Sequence, residues 1–264
     1  MTSELDMFQT DQEEKVPAVS PEQLLELMTT LYQQYSIPAH ICTESASLAF
    51  SMIVRSSLGL SASEASICAL ISDNLAGQVA LGTLRMLCNA GAQGVVLLLD
   101  DPERLSQETE LQLKILDKLE VPLVSQFSDR NQKELEELFS QSHTLLCGVT
   151  SIATEQTTAK SDNSDIYQLL NELHTPIHSV LTPPGIDQFS GAADSDALVS
   201  SSTMSLGVPL IGLGNAKDHV GRHYLCDIQI PRKIYHHYFG TEPGWFARQP
   251  VIQIFPSKSD TQNS

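Results

Sequence analysis

The sequence has little positive charge and no long apolar run. It carries 15 Lys+Arg against 32 Asp+Glu in 264 residues, a formal net charge of −17. Proteins that bind nucleic acids without sequence preference use clustered Lys and Arg to displace counterions, so this charge disfavours that class. The apolar runs, such as residues 95–99, are far shorter than the roughly 20 residues of a membrane-spanning helix. We expect neither a nucleic-acid nor a membrane partner.

Two further absences concern location. The N-terminal MTSELDMFQTDQEEK is acidic and lacks the basic and apolar segments of a secretory signal. The five cysteines form no CxxC pair, and Cys68 and Cys147 lie inside apolar runs, where a free cysteine acts as a small hydrophobic side chain. This pattern predicts a reducing compartment, most simply the cytoplasm.

Common catalytic signatures are also missing. The chain contains no GxGxxG, GxxxxGK[ST], HExxH or Gly-x-Ser-x-Gly sequence. His219 and His223 are four residues apart, but Gly221 lies between them and no HExxH carboxylate accompanies them, which argues against a zinc pair. The sequence therefore predicts no metal site from a motif.

The chain alternates between segments with apolar residues at helical spacing and short apolar runs typical of buried strands. Ser20-Pro21-Glu22-Gln23 has the form of a capping box, and apolar residues at helical spacing follow it. Short apolar runs then alternate with helical segments, which predicts βαβ units: an α/β fold, a three-layer α/β/α sandwich around a Rossmann-like, mostly parallel sheet. The predicted strands are 66–71, 94–99, 121–124, 143–149, 177–181, 201–206, 208–213 and 223–230. The first predicted helix runs from Ser20 to Ile37, and the others cover 43–58, 76–89, 105–119, 129–139 and 166–173.

The chain is expected to form one domain with additions at both ends. Residues 1–17 are polar and acidic and are expected to be a flexible tail. Residues 18–235 carry the alternating pattern of the domain itself. Residues 236–264, with Trp245 and the apolar VIQIF, are expected to form a C-terminal extension that ends in a polar tail.

Three loops are candidates for a ligand site, because ligands of open parallel sheets bind beyond the carboxyl ends of the strands. They are 72–77, 148–154 and 182–188. In the first loop, Asp73 or Asn74 is suited to cap the next helix, whose N-terminus would also attract a phosphate; both interpretations stay open. In the third loop, Pro183 and Gly185 indicate a stiff segment, suited either to a pocket wall or to an ordinary turn.

The order of these pieces resembles the YjeF N-terminal domain family, whose enzymes are NAD(P)H-hydrate epimerases. The similarity covers about residues 19–235. TESASLAF is similar to the family's MENAG-type motif, and SICALISDNLAGQVALGTLRMLCNAGAQGVVLLL to its strand, GxGNNGGDG loop, helix and next strand. PIHSVLTPPGID resembles the strand that ends in DIPSGxD, and SLGVPLIGL with HYLCDIQIP resembles the late TLGxPKxGL and DIGIP pieces.

The resemblance implies a homodimer and a crevice for a nucleotide-like small molecule. In family enzymes that molecule is the hydrated nicotinamide dinucleotide. The positions matched to the family pocket are Glu44, Ser45, Asp73, Asn74, Gly77, Thr144, Gly148, Leu181, Pro183, Gly185 and Asp187.

Several matched positions lack the family's working groups. The carboxylate that acts in epimerisation falls on Leu181, which cannot transfer a proton. The late family Lys falls on Leu210. The potassium ion that the family holds with Asn, Asp and Ser would meet Ala76, Thr144 and Pro184, so we expect no cofactor and a lost potassium site. The prediction is a pseudoenzyme, a catalytically degenerate member that acts as a dimeric interaction or ligand-sensing module.

Two alternatives remain open. An active epimerase, or an enzyme with repurposed chemistry, would take its carboxylate from Asp73 or Asp187, and Asp187 lies six residues beyond Leu181. A role as an RNA-linked scaffold has a fold-level analogy in the YjeF-like dimerisation domains of decapping-enhancer proteins. The net charge of −17 and the lack of a basic stripe argue against RNA contact.

Overall fold

A single sheet organises the part of the chain that the computed structural model describes, residues 8–125, 132–154, 163–240 and 244–257. Its strands are β1 (Phe8–Thr10), β2 (Lys15–Val16), β3 (Ser66–Ile71), β4 (Gln93–Leu98), β5 (Leu123–Val124), β6 (Thr144–Gly148), β7 (Ile177–Val180), β8 (Ser202–Leu206), β9 (Arg222–Cys226) and β10 (Val251–Pro256). The ten strands lie in the order β2-β1-β10-β9-β8-β7-β6-β3-β4-β5.

Helices cover both faces of this sheet. They are α1 (Pro21–Gln33), α2 (Ala39–Leu58), α3 (Leu75–Asn89), α4 (Gln107–Lys118), α5 (Gln132–Ser140), α6 (Ser164–Glu172), α7 (Lys217–Val220) and α8 (Arg232–Phe239). In β3, Ile67, Ala69 and Ile71 join the apolar core under α1–α4, whereas Cys68 and Leu70 join the core under α5 and α6. Because side chains alternate across a strand, one buried strand serves both cores, and the predicted three-layer α/β fold is confirmed.

The central strands are parallel, and their order reverses between β3 and β6. The parallel pairs run from β5 through β4, β3, β6, β7 and β8 to β9. β3 connects to β4 on one side and pairs with β6 on the other. Ligand crevices of open α/β sheets form at such a reversal, beyond the carboxyl ends of the strands.

Local signals place the helices that flank this crevice. Ser20 and Gln23 form the predicted capping box: the Gln23 N–H donates to Ser20 Oγ and the Ser20 N–H donates to Gln23 Oε1. α2 begins directly after Pro38, earlier than predicted, and ends at Gly59, whose φ of 66° is left-handed. Within the described ranges, no helix combines the length and apolar character needed to cross a membrane.

Both ends of the described chain belong to the sheet. β1 and β2 lie in the segment expected to be a flexible tail, and β10 lies in the expected C-terminal extension. β10 pairs with both β9 and β1, so the two ends are joined inside one sheet. The ring of Phe8 is buried and packs edge-on against His223, 5.0 Å between centroids. Residues 1–7 and 258–264 of the expected tails lie outside the described residues.

The strand predicted over 208–213 is wrong. Leu210 forms one isolated bridge with Val19, and Ile211–Gly214 is a 3-10 turn. Pro209 has no N–H to donate to a sheet, and its carbonyl accepts the N–H of Val19 at 2.9 Å. A buried turn can carry the same apolar residues as a strand, so an apolar run alone does not distinguish the two.

Candidate functional site

The turn from β3 into α3 is tied directly to the neighbouring strand β6. Asn74 caps α3, since its Oδ1 accepts the N–H of Gly77 at 2.9 Å. Its side-chain amide donates to the carbonyl of Val149 at 2.7 Å, and the Ser72 N–H donates to the carbonyl of Gly148 at 3.0 Å. Of the two candidates for the cap, the structure selects Asn74. One N–H that a bound anion could use is thereby already bonded.

Gly77 and Gly148 allow α3 to lie against the end of β6. A Cβ at Gly77 would be 1.9 Å from the carbonyl oxygen of Ser72, and one at Gly148 would be 2.4 Å from the carbonyl oxygen of Ala76. Neither position can hold a larger side chain without moving the backbone. The two predicted pocket glycines therefore meet, and their role is close helix–strand packing.

The next strand, β7, ends in an unusual conformation. Leu181 follows it with φ of 69°, in the left-handed region, and donates its N–H to the carbonyl of Met204 at 2.8 Å. A leucine adopts this region only at a cost of about 1 kcal/mol, so the surrounding structure holds it there. Its side chain is buried in the main apolar core. The position matched to the family carboxylate thus contributes packing and no polar group.

The loop after Leu181 is an ordered turn. The N–H of Ile186 donates to the carbonyl of Pro183, and the N–H of Leu198 donates to the carbonyl of Pro184 at 2.9 Å. Gly185 has φ of 82°, and a Cβ there would lie 2.7 Å from the Cα of Ala197. The stiff segment is therefore a turn packed closely on the chain that leads into β8.

Two buried hydroxyls beyond the strand ends, Thr150 Oγ1 and Thr182 Oγ1, have no hydrogen-bond partner among the residues that the structure describes. Cys147 and Ser179 are opposite each other in the β6–β7 ladder, and each threonine lies three residues beyond one of them. Both threonines therefore follow the carboxyl ends of adjacent strands. A buried hydroxyl without a partner costs about 1–3 kcal/mol, so a polar group that reached either hydroxyl would be stabilised by it.

Gln188, buried and not singled out by the sequence, joins the loops after β6 and β7. Its Nε2 donates to the carbonyl of Ser151 at 2.8 Å, and its Oε1 accepts the N–H of Ala153 at 2.9 Å. The sequence identifies the loops that hold Thr150, Thr182 and Gln188 as candidates but does not single out these residues within them. The available signal was weak: each is an ordinary polar residue a few positions after an apolar strand.

Asp73 is bound to the N-terminus of α4. Its carboxylate accepts the N–H of Ser106 at 2.6 Å, the hydroxyl of Ser106 at 2.5 Å and the hydroxyl of Thr109 at 2.6 Å. Partial burial acts to raise the pKa of Asp73, but these hydrogen bonds outweigh it and lower the pKa below the ordinary value. A carboxylate held in this way is a weak base and is used structurally.

Asp187 is bound to its own turn. Its Oδ1 accepts the Ser190 N–H and hydroxyl, both at 2.6 Å, and the N–H of Phe189 at 3.2 Å. Partial burial again acts to raise the pKa, and hydrogen bonds from Ser190 and Phe189 lower it below the ordinary value. Both carboxylates named for a repurposed reaction therefore have a lowered pKa and accept hydrogen bonds from their neighbours.

Comparison with known proteins identifies the family. Residues 39–212, more than half of the chain, match the sequence profile of the YjeF-related protein N-terminus. The chain belongs to this family. It is 24% identical over 217 residues to an NAD(P)H-hydrate epimerase from Lentilactobacillus buchneri, across 81% of this chain and 95% of that protein. It also matches the crystal structure of the yeast protein ynu0, with TM-score 0.77, 19% identity and coverage of 90% of this chain and 100% of that chain. At this identity the structural match shows a shared fold.

The YjeF-related chain does not bring Glu44 to the crevice. Glu44 lies on α2 and binds Arg85, with the Arg85 Nη2 2.7 Å from both carboxylate oxygens. Arg85 is eleven residues beyond Asn74, about 16 Å along α3. Ser45 is half-buried on the same helix as Glu44. Glu44 and Ser45, the candidates taken from the MENAG-type resemblance, therefore lie in the helix layer and not at the strand ends.

Thr144 is likewise outside the crevice, and the positions matched to the potassium site do not fit the ion. Thr144 is the first residue of β6, at the opposite end from Gly148, and its hydroxyl donates to the carbonyl of Pro176 at 2.9 Å. Ala76 has no side-chain oxygen, and the carbonyl of Pro184 already accepts an N–H. Within the described ranges, no group of three His, Cys, Asp or Glu side chains could hold a metal ion.

Proposed function

We propose that this YjeF-related protein is a non-catalytic, dimeric module that binds a nucleotide-like small molecule in the crevice beyond β3, β6 and β7. The observation that carries the proposal is the chemistry of two consecutive residues after β7, Leu181 and Thr182. Leu181 has no group for proton transfer, whereas Thr182 has a buried hydroxyl without a hydrogen-bond partner among the described residues. The crevice is suited to hold a polar ligand without transforming it.

The proposed ligand class comes from the relative and from the chemistry of the loops. The relative from Lentilactobacillus buchneri is named for an NAD(P)H hydrate, so a pyridine dinucleotide is the first probe. Thr150 and Thr182 each donate and accept a hydrogen bond, which suits an amide or a ribose hydroxyl. Asp73 lies on the loop that precedes α3 and disfavours a phosphate at that helix N-terminus.

Titration calorimetry with NADPH tests ligand binding. We expect saturable binding that weakens about 3- to 10-fold in Thr182→Val, because one hydrogen bond to the ligand is lost. Thr144→Val is the matched control, since its hydroxyl lies at the far end of β6 and is bonded to Pro176. No saturable binding, or equal weakening in both variants, contradicts the proposal for this ligand class.

The competing function is an active epimerase that uses Asp73 or Asp187. The purified protein would be mixed with the S and R hydrates of NADH, and their equilibration followed with and without protein. We expect no acceleration, because both carboxylates are engaged in hydrogen bonds. Acceleration that disappears in Asp187→Ala would establish the competing function instead.

We also propose a cytoplasmic location and self-association as a homodimer. All five cysteines are free thiols, and four of them are buried. Buried thiols at these positions suit a reducing compartment, since nothing in the fold depends on their oxidation. Expression as a fusion with a fluorescent protein, followed by fractionation, checks the location; recovery in a secreted fraction would contradict it.

A further inference from the structure

A cavity of about 330 Å³ lies where β9 and β10 part. The two strands pair from Cys226 with Val251 to Tyr224 with Gln253. Beyond this point β10 continues along β1, and β9 continues along β8. The cavity is therefore at the amino end of β9, whereas the proposed ligand crevice lies beyond the carboxyl ends of β3, β6 and β7. We call it the β9/β10 cavity.

The walls of the β9/β10 cavity are mainly apolar and well fixed. The His223 ring in the wall has its Nε2 2.8 Å from Ser205 Oγ, and Phe8 packs edge-on against it. Burial lowers the pKa of His223 to about 3, so this ring is neutral at pH 7. The volume is at the small end of the range of about 300–1,000 Å³ for small-molecule sites. The apolar lining residues are Phe8, Leu213, Val220, Ile254, Phe255 and Pro256.

Two exposed cations complete the lining, Lys217 of α7 and Arg222 of β9. Neither side chain forms an ion pair or a hydrogen bond with another residue that the structure describes. The described lining residues include no Asp or Glu, although the chain has 32 of them, and Asp218 beside Lys217 is outside the lining. The β9/β10 cavity therefore combines apolar walls with a positive charge that no neighbouring carboxylate neutralises.

We propose that the β9/β10 cavity is a second ligand site, for a small molecule with an anionic head group on an apolar body. The guanidinium of Arg222 offers a planar fork to a carboxylate or a phosphate, and Lys217 adds a second positive charge. Exposed ion pairs contribute less than about 1 kcal/mol, so the head group alone binds weakly. The apolar body supplies the remaining affinity, because it leaves water against the apolar walls.

Titration calorimetry on the full chain with three short-chain probes tests this ligand class. Octanoate carries a carboxylate on an apolar chain, octyl phosphate changes only the head group, and 1-octanol removes the charge. We expect saturable binding of both anions, and the tighter of the two identifies the preferred head group. Binding of 1-octanol should be at least about tenfold weaker, because the charge-assisted hydrogen bonds are lost.

Substitutions of the two cations test the location. Lys217→Gln and Arg222→Gln each remove one positive charge at an exposed position. Each should weaken binding of the tighter anion about 3- to 10-fold, because one charge-assisted contact is lost. The matched control is Arg248→Gln, which removes an exposed cation outside the lining. Circular dichroism melting curves verify that each variant stays folded.

The outcomes separate this site from the crevice. We expect the anion to bind equally well with and without saturating NADPH, because the two sites are at opposite ends of the strands. No saturable binding of either anion up to about 10 mM overturns the proposal. Equal binding of 1-octanol, equal weakening in Arg248→Gln, or competition between the anion and NADPH also overturns it. If NADPH itself does not bind, the proposed function fails, and the cation variants alone decide the β9/β10 cavity.

Discussion

Arg85 on α3 binds Glu44 on α2, with its Nη2 2.7 Å from both carboxylate oxygens, while its Nε donates to Gln112 on α4 at 3.2 Å. One guanidinium thereby joins three helices that lie on the same face of the sheet. Its side chain is largely buried, whereas that of Glu44 is 44% exposed. This contact gives the Glu of the TESAS segment a structural role in this chain.

Replacing Glu44 by Gln should lower stability modestly and leave ligand binding unchanged. Because the carboxylate is partly exposed and water screens its charge, we expect a loss of about 0.5–1 kcal/mol in the free energy of unfolding. Urea denaturation measures the loss, and calorimetry with NADPH measures the binding. Glu110→Gln, which breaks an exposed pair with Lys114 on α4, is the control and should cost less. A large change in NADPH affinity would indicate that Glu44 contributes to the ligand site.

At Leu181 the glycine variant should be more stable than the alanine variant, which is the reverse of the usual order. Both substitutions lose a buried leucine side chain, at a cost of about 2–5 kcal/mol. Glycine adopts the observed φ of 69° freely and alanine does not, so Leu181→Gly should be about 1 kcal/mol more stable than Leu181→Ala. The comparison is made by urea denaturation.

Leu146 supplies the control for this comparison. It is equally buried but lies within the extended strand β6. There the glycine variant should be the less stable of the two, because glycine loses more backbone entropy on folding. The same order at both positions would show that the backbone at Leu181 is not strained.

The unpartnered hydroxyl of Thr182 should make its removal stabilising. Thr182→Val keeps the shape and deletes a buried polar atom without a partner, so the melting temperature of the free protein should rise. Thr144→Val deletes a hydroxyl bonded to the carbonyl of Pro176 and should lower it. Differential scanning calorimetry checks both signs. A fall for Thr182→Val would mean that this hydroxyl is already hydrogen-bonded without ligand.

Two buried histidines should make the fold sensitive to mild acid. Burial lowers the pKa of His178 to about 4, with a smaller contribution from Arg222, and burial lowers the pKa of His223 to about 3. Their rings bond to serine hydroxyls, His178 to Ser57 and Ser202. Below the unfolded pKa of about 6.5, these histidines bind protons in the unfolded chain but stay neutral in the folded protein. Stability therefore falls as pH drops from about 6.5 to 4.

Urea denaturation between pH 7 and 4.5 measures this loss. Each buried histidine should remove about 1.4 kcal/mol per pH unit within its window. Burial raises the pKa of Asp227, which acts in the opposite sense near the acid end of the range. His178→Gln should flatten the pH profile, whereas substituting the exposed His174 should not. Equal profiles for the two variants would contradict the assignment to His178.

Much of the fold was available from the sequence because its signals are local. The capping box at Ser20 and Gln23 and the apolar run of β3 each depend on neighbours a few residues away. The short strands β1 and β2 gave no such signal, since three and two residues are too few to show a period. They exist because β10 offers them a sheet edge.

The candidate site was harder to predict from the sequence, because local signals do not show which residues of different elements come together. The structure brings Asn74, Gly77 and Gly148 together, because they close a single turn between β3, α3 and β6. The resemblance placed Thr144 and Glu44 in the crevice, where the structure does not. The neighbouring residues in the sequence do not show whether a side chain lies at the ligand end of a strand, or whether it faces another helix instead of the ligand.

The sequence by itself determined the layered α/β fold and the leucine, rather than a carboxylate, at the first position after β7, because both follow from residue identity and period. Only the tertiary structure decided which groups are engaged. Asp73 and Asp187 are both carboxylates in the sequence, and each becomes structural because Ser106 or Ser190 lies within hydrogen-bond distance. The hydroxyl of Thr182, directly after the left-handed Leu181, has no partner among the residues that the structure describes. Asp73 and Ser106 are distant in the chain, so their contact is a property of the folded molecule.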